Sequence, residues 1–179
     1  MIPTITAQDT LREVVFKVCT ALHETGIKAV LTGGAAAAFY APEAAQSRDA
    51  DFIASWYSLQ REFDETMRLL GYIKSGRIYR HPMSMFTIDF PDVEIRIGQS
   101  FIQEFDTIRE GELLLHILSP LHVVCDRLAS FYWFDDRSAL KAAVAVAKLQ
   151  HVALWEVEEW SKQHGELENY QEFAMRVGL

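Results

Sequence analysis

The chain has 179 residues, half of them apolar and 12% aromatic, which is enough for one domain with a full hydrophobic core and argues against a disordered chain. Its 17 basic and 25 acidic residues give a net charge of -8, which argues against a surface that grips bulk nucleic acid through its phosphates. No apolar run approaches the roughly 18 residues of a membrane span, and no signal-peptide pattern opens the chain. We therefore expect a cytoplasmic protein with no membrane partner.

The first 70 residues predict helices that alternate with short strands. Apolar residues recur at three- and four-residue steps in the helical segments, and glycines end two of them. The predicted order is a helix over Thr6–Thr25, a strand over Ile27–Leu31, a helix over Ala35–Tyr40, a strand over Asp49–Ala54 and a helix over Leu59–Leu70. Cys19 lies in the first helix and Cys125 far along the chain, without metal spacing, so we expect two buried free thiols.

Short alternating strands are predicted next, from Tyr72 to about Leu118, and helices from there to the end. Ser119 and Pro120 give a strong helix start, as N-cap and first helical residue. The clearest strands are Met85–Phe90, Val93–Ile97 and Leu113–Leu118, and later helices are predicted from about Arg137, with Asp135 as N-cap, from Val152, and from Glu166 as a short frayed end. Trp133, Trp155 and Trp160 are expected as core or helix-interface anchors.

These elements predict an α/β (α+β) fold. A small mixed β-sheet flanked by helices would fill residues 1–118, and a C-terminal helical bundle would fill residues 119–179. The two parts could still form one compact domain, with the border near Ser119.

The segment from Lys28 to Ser55 carries the clearest chemical signal. An apolar strand ends at Gly33 and Gly34, and backbone N–H groups at such a turn and helix start suit phosphates. Asp49 and Asp51 are two apart on a strand and therefore face the same side. Two carboxylates so close repel unless a cation lies between them, and Mg²⁺ is commonly held by one or two carboxylates plus substrate phosphates.

Other acids compete for a third place in this site. Asp89, in the strand Met85–Phe90, lies opposite its apolar face and could join the pair or activate an attacking hydroxyl. Glu94 competes for that role. Taken singly, the Gly-Gly pair is more often a plain turn, and an Asp-x-Asp at a strand start is more often a solvated edge. The order and spacing of all the elements together favour the site.

The sequence strand, Gly-Gly, helix, Asp-x-Asp strand and later acidic strand resembles the nucleotidyltransferase superfamily of the polymerase-beta fold. It is similar to the small prokaryotic branch of abortive-infection and toxin–antitoxin nucleotidyltransferases. The helical segment Leu118–Lys148 resembles the region that follows the core in one such branch. The resemblance spans most of the chain, from about Val14 to Trp160.

The resemblance implies a role for each matching residue. Gly33 and Gly34 would cradle the triphosphate, and Asp49 and Asp51 would bind Mg²⁺ or Mn²⁺. Asp89 would be the third carboxylate, catalytic and a metal ligand. Two departures from the family concern the phosphates, because Ala35 follows Gly34 where many relatives have serine, and Arg127 stands where related enzymes have a lysine. The acidic pair that follows this lysine in relatives is matched here by Asp135 and Asp136.

Basic residues near the site have open interpretations. Arg48, beside Asp49, could contact a phosphate or be a surface cation. The hairpin KSGRIYRHP, with Lys74, Arg77 and Arg80, could hold RNA or another acceptor, although a solvated hairpin is favoured. For Asp126 and Arg127, and for Asp135 and Asp136 with Arg137, helix pairs and caps are favoured over a place in the site.

The predicted function is metal-dependent transfer of a nucleoside monophosphate from an NTP to a hydroxyl of RNA, protein or a small molecule. The alternative is a catalytically degenerate protein of the same fold that acts as a binding or toxin–antitoxin regulatory module. A soluble interaction protein without a ligand is a further alternative. A partner protein or a homodimer is possible.

Overall fold

A computed structural model of the chain describes residues 2–178. Within them the helices are α1 (Leu11–Glu24), α2 (Gly33–Tyr40), α3 (Gln60–Leu69), α4 (Pro120–Phe134), α5 (Arg137–Leu149), α6 (Leu154–Gln163) and α7 (Leu167–Val177). The strands are β1 (Ala29–Thr32), β2 (Asp49–Ala54), β3 (Ile73–Ser75), β4 (Ile78–Arg80), β5 (Thr87–Asp89), β6 (Arg96–Ile97), β7 (Ser100–Phe101), β8 (Asp106–Glu110) and β9 (Leu113–Ile117).

Seven of these strands form one mixed sheet in the order β3-β4-β5-β2-β1-β9-β8, and β6 and β7 form a separate hairpin. β1 runs parallel to β9 and antiparallel to β2, and β2 runs parallel to β5. The ends of β1 and β9 therefore meet the starts of β2 and β5 at one edge of the sheet. The predicted α/β (α+β) class, a mixed sheet with helices and a helical C-terminal part, is confirmed.

The first helix is shorter than predicted at its N-terminus. Asp9 accepts a hydrogen bond from the backbone N–H of Thr6 at 2.9 Å, which holds residues 6–9 in a turn. Thr10 then caps α1 in a reciprocal capping box with Glu13. The prediction of a helix from Thr6 was wrong, because these two polar residues satisfy the backbone outside the helix.

Two predicted strands are also shorter in the structure. Met85–Phe90 is reduced to β5 and Val93–Ile97 to β6. Pro91 follows β5 closely and cannot donate to a sheet ladder. β6 pairs with β7 alone, so the segment after Pro91 leaves the main sheet.

The C-terminal helices begin as predicted at Ser119, whose side chain accepts from the backbone N–H of His122. Asp135 is not the N-cap of the next helix: it ends α4 with a left-handed φ of 50°. Asp136 is the cap instead, and its carboxylate accepts from Ser138 N and Ala139 N at 2.9 and 3.0 Å.

Two further predictions concern the last helix and the tryptophans. α7 does not fray from its start, because Tyr170 and Phe173 bury their side chains in the protein. Trp155 is 71% exposed, so it is not a core anchor. Trp133 is 42% exposed but packs edge-on against Trp160 of α6, as expected of a helix-interface residue. Trp160 fulfils the expectation, since it is half-buried and stacks on Tyr132.

The core lies between the sheet and the helices. α1 and α2 pack against the central strands, and α4 packs against α2, α5 and α6. Cys19 and Cys125 are buried free thiols, as predicted, and burial raises both of their pKa values to about 12. No helix in residues 2–178 combines the length and apolar character that crossing a membrane requires. The subdomain border near Ser119 stays a prediction.

Candidate functional site

The three predicted carboxylates lie where β2 and β5 run side by side, with Asp49 as the first residue of β2 and Asp89 as the last residue of β5. Ala50 is fully buried whereas Asp51 is half-buried and Asp49 is exposed, so the two acids share the face opposite Ala50, as predicted. The parallel register places Asp51 directly beside Asp89 and Asp49 directly beside Thr87. Tertiary structure therefore brings the acids of two separate strands together.

The surroundings of Asp51 disfavour the ionised form of its carboxyl group. Burial raises its pKa above the ordinary value, and the negative charges of Asp89, Asp49 and Asp126 raise it further. The positive charge of Arg127 acts in the opposite direction. An ionised carboxylate that is desolvated and surrounded by other acids is stabilised by an added cation.

The other two carboxylates are oriented by hydrogen bonds. The hydroxyl of Thr87 donates to Oδ1 of Asp49. Oδ1 of Asp89 accepts from the backbone N–H of Phe90 at 2.8 Å, and its Oδ2 lies 3.7 Å from Nη2 of Arg77. Arg77 belongs to the turn between β3 and β4, so one cation of the predicted basic hairpin reaches the site.

The glycine pair begins α2 at this same edge. Gly33 has a φ of +68°, and a Cβ atom on it would lie 3.0 Å from Oδ2 of Asp51. Only glycine fits such a backbone without strain. Thr32, at the N-cap position, makes no side-chain cap and instead donates its hydroxyl to the carbonyl of Asp51 at 3.2 Å. The first N–H groups of α2 therefore receive no hydrogen bond from the side chain of Thr32, and N–H groups at such a helix start suit an anion.

A cavity of about 200 Å³ lies in front of these groups. Its walls include Gly33 and Asp51 from the sheet edge, Asp126 and Arg127 from α4, and Glu94 from the segment before β6. Nε and Nη2 of Arg127 donate to Oδ2 of Asp126 at 3.0 and 2.8 Å. The structure thus places Arg127 at the glycine turn and adds Asp126, which sequence reasoning had weighed only as part of a helix pair.

The position of Asp126 in the chain gives only part of the signal that would place it at the site. It follows Ser119 by two helical turns, in a helix that starts where β9 reaches the site edge. That placement required the sheet order, which the sequence alone does not supply.

The remaining predicted residues are dispersed. Arg48 lines a separate, larger cavity, and Gly34 faces Ser47 rather than Asp51. Glu94 lines the small cavity and lies 3.5 Å from Arg96. Asp135 and Asp136 serve as helix caps and are absent from the cavity walls.

The side chains of the protein supply only part of the ligand shell that Mg²⁺ needs. Across residues 2–178, no three or more His, Cys, Asp or Glu side chains are arranged so that they could hold a metal ion together. Mg²⁺ needs only one or two carboxylates when substrate phosphates and water complete its shell. The carboxylate of Asp51, which has Asp89 beside it on β5 and a pKa raised by burial and by neighbouring acids, suits that mode.

The whole chain is similar in fold to a solved protein. That protein is an antigenic nucleotidyltransferase-like protein from Paracoccidioides brasiliensis, whose crystal structure matches with a TM-score of 0.59. The match covers 93% of this chain and 94% of that chain at 11% sequence identity. No protein-family model matches the chain, and neither does any curated protein. The likeness shows that this chain has a nucleotidyltransferase-like fold.

Proposed function

We propose that the protein is a metal-dependent nucleotidyltransferase that moves a nucleoside monophosphate from an NTP to a hydroxyl acceptor. The observation that carries the proposal is the direct pairing of Asp51 with Asp89, beside a glycine turn that leaves the start of α2 uncapped. Carboxylates for a cation and bare N–H groups for phosphates thus meet at one sheet edge.

Each group then has a role in the transfer. Gly33, the first N–H groups of α2 and Arg127 bind the triphosphate. The acceptor oxygen forms a bond to the α-phosphorus while the bond from that phosphorus to the oxygen bridging to the β-phosphate breaks. The bond electrons leave with pyrophosphate, and the hydroxyl proton passes to the carboxylate of Asp89. Catalysis of this kind rests mainly on positioning and charge neutralisation.

Asp49 and Asp51 would hold the Mg²⁺ or Mn²⁺ ion that enters with the NTP. When bound, the ion would neutralise the charge that develops on the phosphate oxygens. The Thr87 hydroxyl orients Asp49, and burial fixes Asp51 against the glycine turn.

Calorimetric binding of ATP, GTP, CTP and UTP with Mg²⁺ tests the proposal. We expect the wild type to bind at least one NTP and the Asp49→Ala/Asp51→Ala double variant to bind none. Glu62→Ala/Glu65→Ala, which removes two exposed acids of α3, is the matched control and retains binding. Absence of NTP binding in the wild type would refute the proposal that the protein is a nucleotidyltransferase.

The internal ion pairs favour a second candidate, a degenerate binding or toxin–antitoxin regulatory module of the abortive-infection type. Arg127 is already paired with Asp126, and Arg77 lies near Asp89. In such a module these protein cations replace the metal. Thermal melts with and without Mg²⁺ separate the two candidates. Mg²⁺ raises the Tm if the protein is the enzyme and leaves the Tm unchanged if it is the degenerate module.

A further inference from the structure

A second cavity, with a volume of about 770 Å³, lies between the start of α1, α2 and the segments that lead into β2 and β5. In these segments Arg48 and Phe86 line the cavity and immediately precede Asp49 and Thr87. Because successive residues of a strand point to opposite faces, the neighbours of the site residues belong to the other face of the sheet. Accordingly, none of the three site carboxylates lines this cavity. The large cavity is therefore separate from the candidate site.

α2 contributes to the walls of both cavities through different residues. Gly33, its first residue, lines the small cavity, whereas Ala35, Ala38 and Phe39 line the large one. The two walls have no residue in common. A ligand in the large cavity and a nucleotide at the glycine turn would therefore occupy different places and could be bound at the same time.

The wall of the large cavity is mainly apolar and includes two aromatic rings. Its apolar lining includes Leu11, Val15, Ala35, Ala38, Phe39 and Phe86. The volume falls in the range of about 300–1,000 Å³ that is usual for small-molecule sites. Apolar walls favour an apolar ligand body, and aromatic side chains pack well against a ring system.

The charge of the wall is opposite to that of the whole chain. No described Asp or Glu lines the cavity, although the chain has a net charge of -8. Arg12 pairs with Glu110 and lies over the ring of Phe39, 4.3 Å from its centroid. Arg48 is exposed, and none of the ion pairs within residues 2–178 involves it. One uncompensated cation in an apolar wall without acids suits a ligand with one anionic group.

We propose that this cavity is a binding site for a small aromatic carboxylate, separate from the nucleotidyl-transfer site. The aromatic body packs against the apolar wall, which supplies most of the affinity, and the carboxylate pairs with Arg48, which selects for the charge. The inference does not depend on the proposed function, because neither Gly33, Arg127 nor any of the acids assigned to the transfer lines the cavity.

Calorimetry with 2-naphthoate and its neutral analogue 2-naphthamide tests both parts of the proposal. We expect one site per chain and an affinity about three- to fivefold higher for 2-naphthoate, as for one partly exposed charge pair. Arg48→Gln should lower the affinity for 2-naphthoate to that for 2-naphthamide and leave the affinity for 2-naphthamide unchanged. Arg61→Gln, at an exposed arginine of α3 outside the cavity, is the matched control and should bind both compounds as the wild type does.

Two further variants locate the bound probe. Ala38→Leu puts a larger side chain into the cavity and should abolish binding of both compounds; if it does not fold, the comparison of Arg48→Gln with Arg61→Gln still decides. The Asp49→Ala/Asp51→Ala double variant should bind 2-naphthoate as the wild type does. Saturating Mg²⁺ and NTP should not displace 2-naphthoate from the wild type.

Three outcomes would overturn the inference. The first is a wild type that does not bind 2-naphthoate, or binds it no better than 2-naphthamide. The second is loss of 2-naphthoate binding in the Asp49→Ala/Asp51→Ala variant or its displacement by Mg²⁺ and NTP, which would assign the probe to the other face. The third is a wild-type dimer that Met85→Glu, an exposed residue of the wall, dissociates while 2-naphthoate does not, which would assign the cavity to a second copy of the chain.

Discussion

The two cavities beside α2 differ in volume, in the charge of their walls and in the free energy that burying those walls requires. The small one, about 200 Å³, has Asp51, Asp126, Arg127 and Gly33 in its wall. The large one, about 770 Å³, is lined mainly by apolar side chains, with arginines as its charged groups. Concentrated charge is unfavourable to bury and is retained where it does chemistry, whereas an apolar hollow gives space for binding. The fold thus places its concentrated charge and its apolar space in separate cavities.

The largest expected effect tests the wall between the cavities. Gly33→Ala should destabilise the protein by about 1–3 kcal/mol, because it forces a Cβ onto a positive φ and to within 3.0 Å of Asp51. NTP affinity should fall with it. Gly34→Ala is the matched control, since its Cβ meets ordinary contact at 3.6 Å. Urea unfolding of both variants measures the difference, and equal costs would show that Gly33 has no special role.

The next effect concerns the charge of the small cavity. Folding raises the pKa of Asp51 above its ordinary value. At pH values between the ordinary and the raised pKa, the folded protein therefore binds more protons than the unfolded chain. Stability therefore falls as pH rises through that window and stays lower above it. Asp51→Asn should stabilise the protein at pH 7, on the order of 1 kcal/mol, and the gain should shrink towards pH 3.8.

Mg²⁺ sharpens the same comparison. It should raise the Tm of the wild type at pH 7 and leave that of Asp51→Asn unchanged, because the ion needs the carboxylate. Thermal melts at several pH values with and without Mg²⁺ measure both effects. An Asp51→Asn variant less stable than the wild type at pH 7 would contradict the raised pKa.

The charged cavity was easier to foresee from the sequence than the apolar one. Gly33, Asp49 and Asp51 lie within 19 residues, and strand periodicity alone puts the two acids on one face. Asp89 could be predicted as a candidate, but its pairing with Asp51 depends on β5 lying beside β2. Asp126 needed the packing of α4 as well, so its role was missed.

The large cavity has no signature in the sequence. Its wall combines α1, α2 and the residues before two strands, which are far apart in the chain. Arg48 illustrates the difficulty, since its place next to Asp49 suggested a phosphate contact while the structure turns it to the other cavity. The predicted starts of two helices were wrong for a local reason, because the side chains of Thr10 and Asp136 accept backbone hydrogen bonds that fix where α1 and α5 begin.

A smaller effect should distinguish the open cavity from the packed core. Ala38→Leu, on the side of α2 that lines the cavity, should change stability by less than about 1 kcal/mol, because the added atoms enter open space. Ala36→Leu, in the same helix but fully buried and outside the cavity, should cost about 1–3 kcal/mol through overpacking. Urea unfolding checks the stabilities, and similar costs would mean that the cavity closes in solution.

The smallest effect concerns an arginine in the wall of the large cavity. Arg12 and Glu110 are both about half exposed, and such a pair contributes about 0–1 kcal/mol. Arg12→Gln should therefore cost less than about 1 kcal/mol, and a double-mutant cycle with Glu110→Gln should give a coupling energy that salt reduces. A coupling energy that added salt leaves unchanged would contradict the exposed position of this pair.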